Sequence, residues 1–518
     1  MPRRLPRVIH PLLLALYPVA ALLAHNIAQV QLQDAIRPAL AAVGLATVLM
    51  AASRLVLGDW QRAGLLASLA VLLFFSYGHV YDLLRQAGGM GATVGRHRYL
   101  LPVWLVLLAL GARAVVRIKG DARRATTVLN AISALALAVP LLQVAYFEIR
   151  LNLPTNPSER AGSLGDLRLP EGDAAPDIYY IILDGYTRVD VLERAFDFDN
   201  SSFLDSLVAL GFFVAEDSRS NYAQTELSLA SSLNMDYLEQ LGVPLDPNST
   251  DRTSLRPLLV HSAVREKLAA LGYRVVAFES GYNPTEWPDA DVYLARRNEM
   301  PLLGGVSGFE SLLIQTSGAM ILSDAAGFLP GCMTVGLEQP LEAHRQQVLF
   351  ALDQLPGVAS IPGPKFVFVH LVAPHAPFVF DAEGGQPSSG EQPQGAGLSV
   401  EYTPEAYARG YTEEITYLNR RILDIVSHIL AQPGPEPVII LQADHGADPV
   451  SMADRMAILN AYHLPHGEGS QLYPAISPVN SFRVVFNRFF GTAYPMLEDR
   501  SYFSEYTSPY DLTLVQSQ

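Results

Sequence analysis

The sequence predicts a bundle of five transmembrane helices followed by an α/β domain, in which helices sandwich a mostly parallel sheet. Half of the 518 residues are apolar, and the longest apolar stretches lie within the first 150 residues. Those residues carry 15 Arg and Lys against 5 Asp and Glu, whereas the whole chain has a net charge of −15. After residue 176, short β-branched runs alternate with helical patterns, which is typical of parallel sheets covered by helices.

The predicted transmembrane domain covers residues 1–150. Its five apolar stretches are each near the ~20 residues that cross a bilayer as a helix, and they lie at residues 8–30, 35–57, 63–82, 99–116 and 126–148. Loops rich in Lys and Arg stay in the cytoplasm, and the basic residues favour a cytoplasmic N-terminus. We therefore expect a multi-pass protein of a bacterial inner (plasma) membrane, with the residues after the fifth span outside. A cleaved signal peptide at residues 1–30 would leave four spans and the same location.

Residues 151–176 are rich in Pro and Gly and are predicted to be a linker, and residues 177–518 to be an extracytoplasmic domain. Strands are expected at 177–184, 211–215, 273–279, 366–371, 437–443 and 482–487. Helices are expected at 201–210, 225–240, 261–271, 340–354 and 404–431. Because the charge after residue 150 is strongly negative, we expect no nucleic-acid partner. A single cysteine excludes an intramolecular disulfide and a metal site built from several cysteines.

Two predicted strands end in residues that bind metal ions. The run 178–183 is followed by Asp184-Gly185, and the run 437–443 is followed by Asp444-His445-Gly446. Ligands of open α/β sheets bind beyond the carboxyl ends of the strands. We therefore expect one divalent metal ion, held by residues from distant parts of the chain. Oxygen and nitrogen ligands suit Zn or Mn, with Mg as an alternative.

Thr225 stands where a loop becomes an amphipathic helix. A helix N-terminus offers free N–H groups and the positive end of the helix dipole, which favour bound anions. A threonine hydroxyl placed there can attack phosphorus if a metal lowers its pKa. Helix capping alone would also explain a threonine at this position.

Three histidines, His375, His463 and His466, are candidates for chemistry. His375 lies in a Pro-flanked turn after the strand 366–371, where it could protonate a leaving group, bind phosphate or ligate a metal. His370 lies within that strand and is expected to be a core histidine. His463 is a candidate substrate-binding residue, although a solvated loop explains it equally well.

Arg96 and Arg98 lie in the outer loop between the third and fourth spans. Snorkelling of the two arginine side chains at the membrane interface would account for both residues. The alternative is that they bind the head group of an anionic lipid substrate.

Four motifs occur in one order: Leu183-Asp184-Gly185, the Thr225 segment, Pro374-His375-Ala376-Pro377-Phe378 and Gln442-Ala443-Asp444-His445-Gly446. This set resembles the alkaline phosphatase/sulfatase superfamily. With five spans before it, the chain most resembles the membrane-anchored lipoteichoic acid synthase and phosphoethanolamine transferase group. The resemblance implies an alkaline-phosphatase-like fold and a metal held by Asp184, Thr225, Asp444 and His445. It also implies that Thr225 is the nucleophile and that His375 lies near the substrate.

The resemblance implies a metal-dependent transferase that moves a phospho-head-group from a membrane lipid to an envelope glycan or lipid through a phosphothreonine. Asp184 departs from this group, whose members usually have Glu at this position, whereas sulfatases and phosphatases usually have Asp. A hydrolase that uses water as the acceptor, acting as phosphodiesterase, phosphatase or sulfuric-ester hydrolase, therefore stays an alternative. The sulfatase signature of Cys or Ser followed by X-Pro-X-Arg is absent at Thr225, which disfavours a formylglycine-type sulfatase. A non-catalytic membrane scaffold is a third hypothesis, and the intact motif residues argue against it.

Overall fold

The computed structural model describes residues 7–27, 30, 32–87, 94–118, 122–152, 167–169, 175–296, 308–321, 340–387, 402–448, 450–465 and 471–516. The predicted linker lies largely outside these residues. The chain divides into two compact units, one of Met1–Asn152 with Asn298–Pro340, the other of Leu153–Arg297 with Leu341–Gln518. The first unit therefore includes a segment that the sequence prediction assigned to the second.

Five long helices form the first unit, in agreement with the predicted helix count. They are α1 (His10–His25), α2 (Ile36–Leu57), α3 (Trp60–Gln86), α4 (His97–Val116) and α5 (Arg123–Asn152). Four of these regions are long and apolar enough to cross a membrane, whereas α1 has only 16 residues. At 1.5 Å per residue α1 is about 24 Å long, less than the ~30 Å hydrocarbon core of a bilayer. Large apolar side chains such as Leu55, Leu135 and Leu142 are exposed on this unit, as expected of surfaces that face lipid.

A later segment of the chain packs against these helices. Its helix α6 (Gly308–Gln315) buries Phe309 in the apolar cluster of the unit, and Glu310 forms an ion pair with Arg37. A Cβ atom on Gly78 would lie 2.1 Å from the carbonyl oxygen of Gln315. Only glycine therefore permits this close approach of the two backbones.

The second unit contains a seven-stranded, mostly parallel sheet. Its strands are β1 (Ile178–Leu183), β2 (Phe213–Val214), β3 (Arg274–Phe278), β4 (Val292–Leu294), β5 (Lys365–Leu371), β6 (Val438–Gln442) and β7 (Asn460–His463). The spatial order is β2-β7-β6-β1-β5-β3-β4. Strand β1 pairs in parallel with β5 and β6, so that Ile182 lies opposite both His370 and Gln442. Only β2 and β7 run antiparallel to their neighbours.

Helices cover both faces of this sheet. Successive side chains of a strand point to opposite faces: Ile178, Tyr180 and Ile182 belong to one apolar cluster. Tyr179, Ile181 and Leu183 belong to the other.

The helices of this unit are α7 (Val189–Phe196), α8 (Ser201–Ala209), α9 (Thr225–Asn234), α10 (Arg256–Val260), α11 (Ala263–Ala270), α12 (Pro340–Gln354), α13 (Pro404–Leu430), α14 (Met452–Met456) and α15 (Pro478–Phe489). A hairpin of β8 (Tyr502–Phe503) and β9 (Thr513–Leu514) follows. The predicted fold class is thus confirmed.

One predicted strand is wrong. Residues 482–487 lie within helix α15, which begins after Ser477 with Pro478 in its first turn. Every residue from Pro478 to Phe486 is buried, including polar ones such as Arg483. The helical spacing of apolar residues shows only over the whole helix, at Val479, Phe482, Phe486 and Phe489. The six-residue window 482–487 is too short to distinguish a helix from a strand. The sequence also gave no signal for the short strands β4 and β7. The helix predicted at 225–240 ends earlier, at Asn234, because Met235 adopts a left-handed conformation with φ 56°.

Candidate metal centre

Asp184 is fixed at the carboxyl end of the central strand. Its backbone N–H donates to the carbonyl of Leu371, at 3.0 Å, on the neighbouring strand β5. Gly185 then turns the chain with φ 75°, a conformation that favours glycine. The carbonyl of Gly185 accepts a hydrogen bond of 2.7 Å from the hydroxyl of Tyr411 on helix α13. These contacts fix the backbone that carries the Asp184 side chain.

Asp444 and His445 follow strand β6 at the same edge of the sheet. Asp444 Oδ1 accepts hydrogen bonds from the backbone N–H groups of Gly185, at 3.1 Å, and His445, at 3.0 Å. His445 Nδ1 lies 2.9 Å from the carbonyl oxygen of Gly446. A carbonyl only accepts, so we assign the ring proton to Nδ1, which leaves a lone pair on Nε2. A neutral imidazole with this tautomer is ready to bind a metal.

Thr225 is the first residue of helix α9 and is buried. The N-cap of this helix is Gln224, whose side chain makes no capping hydrogen bond. Capping therefore does not explain Thr225. Its hydroxyl oxygen lies 3.3 Å from His445 Nε2, which places it within the cluster of ligand atoms.

The donor atoms of these residues converge on His445. Its Nε2 lies 3.4 Å from Asp184 Oδ1 and 3.5 Å from Asp444 Oδ2. Both carboxylate oxygens are buried and make no hydrogen bond. Buried charges without partners are costly unless a cation compensates them. Two anionic oxygens, a hydroxyl and an imidazole nitrogen therefore fit a divalent ion.

His375 joins the centre from the turn after strand β5. Its ring centroid lies 6.0 Å from that of His445, and a ligand atom each from Asp184, His375 and His445 lie within 4.8 Å of one another. His375 Nδ1 lies 2.6 Å from the carbonyl oxygen of Ala376, so Nδ1 carries a proton and Nε2 is the ring atom left for chemistry. His375 is partly exposed, unlike Asp184 and His445.

The protonation states of Asp184 and His445 follow from their burial and from the charged groups near them. Burial raises the pKa of the Asp184 carboxyl, but three nearby histidines, led by His375, outweigh burial and hold the pKa below its ordinary value. Burial lowers the pKa of His445, and the guanidinium of Arg455 lowers it further. Asp184 is therefore ionised and His445 neutral near pH 7, the states in which both can bind a metal.

Arg455 is a site residue that the sequence gave no means of finding. Its Nη2 lies 3.4 Å from His445 Nε2, and its Nη1 donates to the carbonyl of Gly446 at 3.0 Å. Its Nε donates to the carbonyl of Ala223 at 3.2 Å. Arg455 lies on the short helix α14, outside every motif, and only the fold brings it to the centre.

Glu226 and Arg252 form a second polar pair beside Thr225. The Glu226 carboxylate is buried, and burial raises its pKa despite the neighbouring charge of Arg252. Arg252 Nη1 lies 3.8 Å from Glu226 Oε1 and Nη2 donates to Gln224 Oε1 at 2.5 Å. The residues on both sides of Thr225 are thus held by one arginine.

His463 lies away from this centre, and its predicted binding of substrate stays a prediction. Strand β7 is antiparallel to β6, and its last residue, His463, lies opposite Ile439 near the start of β6. Its ring contacts the carbonyl of Pro437 at 3.1 Å and the Glu436 carboxylate at 3.3 Å. Asp444 lies five residues after Ile439, about 16 Å further along the strand direction at ~3.3 Å per residue.

Arg96 and Arg98 belong to the first unit. Arg96 precedes helix α4 at its N-cap position, and the Arg98 guanidinium lies 4.7 Å from the ring centroid of Tyr99. Both are exposed. Their binding of a lipid head group stays a prediction.

No family model and no curated protein matches this chain. Solved structures are similar to it at 12–14% identity. The C-terminal periplasmic domain of EptC from Escherichia coli, in complex with Zn, matches with a TM-score of 0.42 over 68% of this chain and 96% of that chain. The integral membrane lipooligosaccharide phosphoethanolamine transferase A from Neisseria meningitidis matches with a TM-score of 0.35 over 94% of this chain and 96% of that chain. The phosphonate monoester hydrolase of Agrobacterium radiobacter matches with a TM-score of 0.39 over 63% of this chain and 80% of that chain.

The fold and the site together define an α/β protein with a membrane-type helical unit and a buried metal-binding centre. The similarity to these solved structures is distant. The activity of the protein is therefore inferred from the residues of this chain.

Proposed function

We propose that the protein is a membrane-anchored, metal-dependent transferase of the alkaline phosphatase/sulfatase type. It moves a phospho-head-group from a lipid donor to an envelope glycan or lipid through a phosphothreonine at Thr225. The observation that carries the proposal is the position of the Thr225 hydroxyl, 3.3 Å from His445 Nε2 at the first residue of a helix. The excess of basic residues on the N-terminal side supports an extracytoplasmic location for the second unit.

Asp184, Thr225, Asp444 and His445 would hold the ion, here Zn or Mn, with Mg as the alternative. A bound divalent cation supplies a Lewis acid that lowers the pKa of a hydroxyl and neutralises phosphoryl charge. The Thr225 oxygen forms a bond to phosphorus while the bond from phosphorus to the lipid alcohol breaks. The free N–H groups at the start of α9 and the guanidinium of Arg455 are placed to stabilise the phosphoryl oxygens.

His375 is the group placed to move protons in this reaction. Its Nδ1–H is held by the carbonyl of Ala376, so Nε2 is the ring atom that can take up a proton. In the first step Nε2 takes the proton of the Thr225 hydroxyl as that oxygen attacks phosphorus, and gives it to the departing lipid alcohol. In the second step Nε2 takes the proton of the acceptor hydroxyl as that oxygen attacks phosphorus, and returns it to Thr225 as Thr225 leaves.

Hydrolysis is the second candidate function, and Asp184 is the observation that favours it, since the resembling hydrolases usually have Asp here. A phospholipid with a labelled head group distinguishes the two reactions. Purified protein in vesicles that also contain an acceptor lipid or glycan should yield a tagged acceptor if it is a transferase. Release of the free phosphorylated head group, without a tagged acceptor, would identify a hydrolase instead.

Replacing Arg96 and Arg98 with Ala should weaken the use of an anionic lipid substrate. Each basic side chain near an anionic surface contributes about 1 kcal/mol, so the double variant should raise KM for vesicle lipid by roughly 30-fold with kcat unchanged. Steady-state turnover in vesicles measures this. The double variant Arg113→Ala and Arg117→Ala, at the other end of α4, is the matched control. Equal turnover of all three proteins would contradict a head-group role.

Replacing Arg455 with Ala should lower kcat by about 10²-fold, because one positive donor beside the transferred group is lost. The variant Arg455→Lys keeps the charge and should recover part of the rate. Both are compared with the wild type in the labelled-lipid assay at saturating substrate. A full rate for Arg455→Ala would exclude the residue from the transition state.

Metal retention should depend on pH through His445. Because burial lowers the pKa of this imidazole, Nε2 stays free of a proton below the ordinary histidine pKa of about 6.5. We expect the protein to retain its ion from pH 8 to about pH 6 and to lose it as the pH falls further. Equilibrium dialysis followed by elemental analysis measures this. Loss of half the ion already near pH 7 would contradict the assignment of a buried neutral ligand.

A further inference from the structure

We propose that helix α13 positions the centre, because three of its side chains hydrogen-bond to the three loops that follow strands β1, β5 and β6. These positioning residues are Tyr407, Tyr411 and Glu414. Each of the three loops carries a residue of the proposed reaction. The inference rests on the proposed function and deepens it, since it identifies residues that act on the reaction only through other residues.

The three side chains lie on one face of α13. Side chains four and seven positions apart share one face of a helix, and Tyr411 and Glu414 have this spacing from Tyr407. Tyr411 and Glu414 are fully buried, and Tyr407 is partly buried. The stripe that they form is thus the inward face of the helix.

Tyr411 holds the loop after β1 at two points. Its hydroxyl donates to the carbonyl of Gly185 at 2.7 Å and accepts from the backbone N–H of Thr187 at 2.9 Å. Gly185 directly follows Asp184, and its own N–H donates to Asp444 Oδ1 at 3.1 Å. One hydroxyl group therefore fixes the residue that links the two carboxylates of the centre.

Glu414 holds the loop after β5, which carries His375. Its Oε2 accepts a hydrogen bond of 3.3 Å from the backbone N–H of Val379, four residues after His375. Burial raises the pKa of the Glu414 carboxyl well above its ordinary value, which favours the uncharged form. An uncharged carboxyl accepts from the loop backbone without attracting a cation.

The same loop also packs an aromatic ring against α13. The centroid of the Phe378 ring lies 5.0 Å from that of Tyr407 and 6.1 Å from that of Tyr411. A Cβ atom on Gly410 would lie 2.4 Å from Phe378 Cδ2. Glycine at position 410 therefore permits the close approach of the helix to the loop that carries His375.

Tyr407 holds the loop after β6. Its hydroxyl accepts a hydrogen bond of 3.2 Å from the backbone N–H of Asp448, three residues after His445. The side chain of Asp448 takes no part in this bond. Strands β6, β1 and β5 are neighbours in the sheet, so one helix reaches the loops of all three. Because a displacement of about 1 Å in a catalytic group can cost 10²-fold in rate, these bonds are placed to preserve activity.

Tyr411→Phe tests the inference, because it removes the hydroxyl and keeps the ring. In the full chain we expect kcat and the affinity for Mn²⁺ each to fall by roughly tenfold, with KM for the labelled lipid unchanged. Tyr273→Phe is the matched control. The buried Tyr273 hydroxyl donates to the carbonyl of Pro176 at 2.8 Å, before the start of β1 and so at the opposite edge of the sheet. Both variants lose a buried hydrogen bond and should unfold at a lower temperature, but Tyr273→Phe should keep the wild-type kcat and Mn²⁺ affinity.

Two variants of Glu414 cover the case in which Tyr411→Phe fails to fold. Glu414→Gln keeps an acceptor oxygen for the N–H of Val379 and should keep the wild-type kcat. Glu414→Leu removes the acceptor and should lower kcat by roughly tenfold without changing the Mn²⁺ affinity, because its loop carries His375 and no proposed metal ligand. Wild-type kcat and Mn²⁺ affinity in Tyr411→Phe, or wild-type kcat in folded Glu414→Leu, would overturn the inference. A wild type that neither binds an ion nor turns over lipid would overturn the proposed function as well.

Discussion

Thr225→Ala should abolish the covalent phosphoryl adduct and lower turnover by on the order of 10³-fold or more, since loss of a nucleophile removes the whole two-step path. The expectation follows from the position of the Thr225 hydroxyl, which lies 3.3 Å from His445 Nε2 at the start of helix α9. The adduct is trapped with a phospholipid that carries a labelled phosphate, and the labelled peptide is located by mass spectrometry.

Two variants control for the loss of a hydroxyl as such. Thr225→Ser keeps the hydroxyl and should still form the adduct. Ser228→Ala removes a buried hydroxyl from the same helix, one turn further on, and should leave the reaction unchanged. A labelled adduct in Thr225→Ala at the wild-type level would refute the nucleophile assignment.

Asp444→Asn should weaken metal binding by at least about 10²-fold and reduce turnover to background, because it removes a charged ligand from the centre. Asparagine can keep both backbone hydrogen bonds that Asp444 Oδ1 accepts from Gly185 and His445. The change is therefore confined to the unpartnered Oδ2 atom. Competition with a chelating dye measures the metal affinity, and Asp448→Asn, four residues further on and exposed, is the matched control.

The same variant should have the opposite effect on the metal-free protein. Without a cation, the carboxylates of Asp184 and Asp444 are two buried like charges, and neutralising one should stabilise the fold by about 1–3 kcal/mol. Thermal unfolding in excess chelator should therefore occur at a higher temperature for Asp444→Asn than for the wild type. Wild-type metal affinity together with an unchanged unfolding temperature would exclude Asp444 from the centre.

The sequence predicted the convergence of Asp184 and Asp444 because both follow apolar, β-branched runs that are buried in a parallel sheet. Parallel strands present their carboxyl ends at one edge, and β5 and β6 flank β1. His375 reached the same edge for the same reason. The strand order that makes these neighbours depends on non-local packing and does not show in any local pattern.

The position of His463 and the strand predicted at residues 482–487 have physical explanations of the same kind. His463 also ends a strand, but β7 is antiparallel to β6, so its last residue lies at the opposite edge of the sheet from Asp444. The alternation of apolar and polar side chains along a strand does not indicate whether the strand runs parallel or antiparallel to its neighbours. Helix α15 does have apolar residues at helical spacing, but the six-residue window 482–487 on which the strand prediction rested is too short to show that period.

The segment around helix α6 could not be assigned from the sequence. Its eight helical residues are too few to cross a membrane. The residues that join it to α2 and α3, among them Arg37 and Gly78, lie more than 200 positions earlier. Arg455 was missed for a related reason, since its contact with His445 depends on the turn that follows β6.

An anomalous diffraction map of the Zn-loaded protein would locate the ion. We expect a peak bounded by Asp184 Oδ1, Thr225 Oγ1, Asp444 Oδ2 and His445 Nε2, each within the ~2.0–2.2 Å of zinc ligands. A peak elsewhere in the second unit, or an ion bound there without Thr225, would contradict a metal-activated threonine.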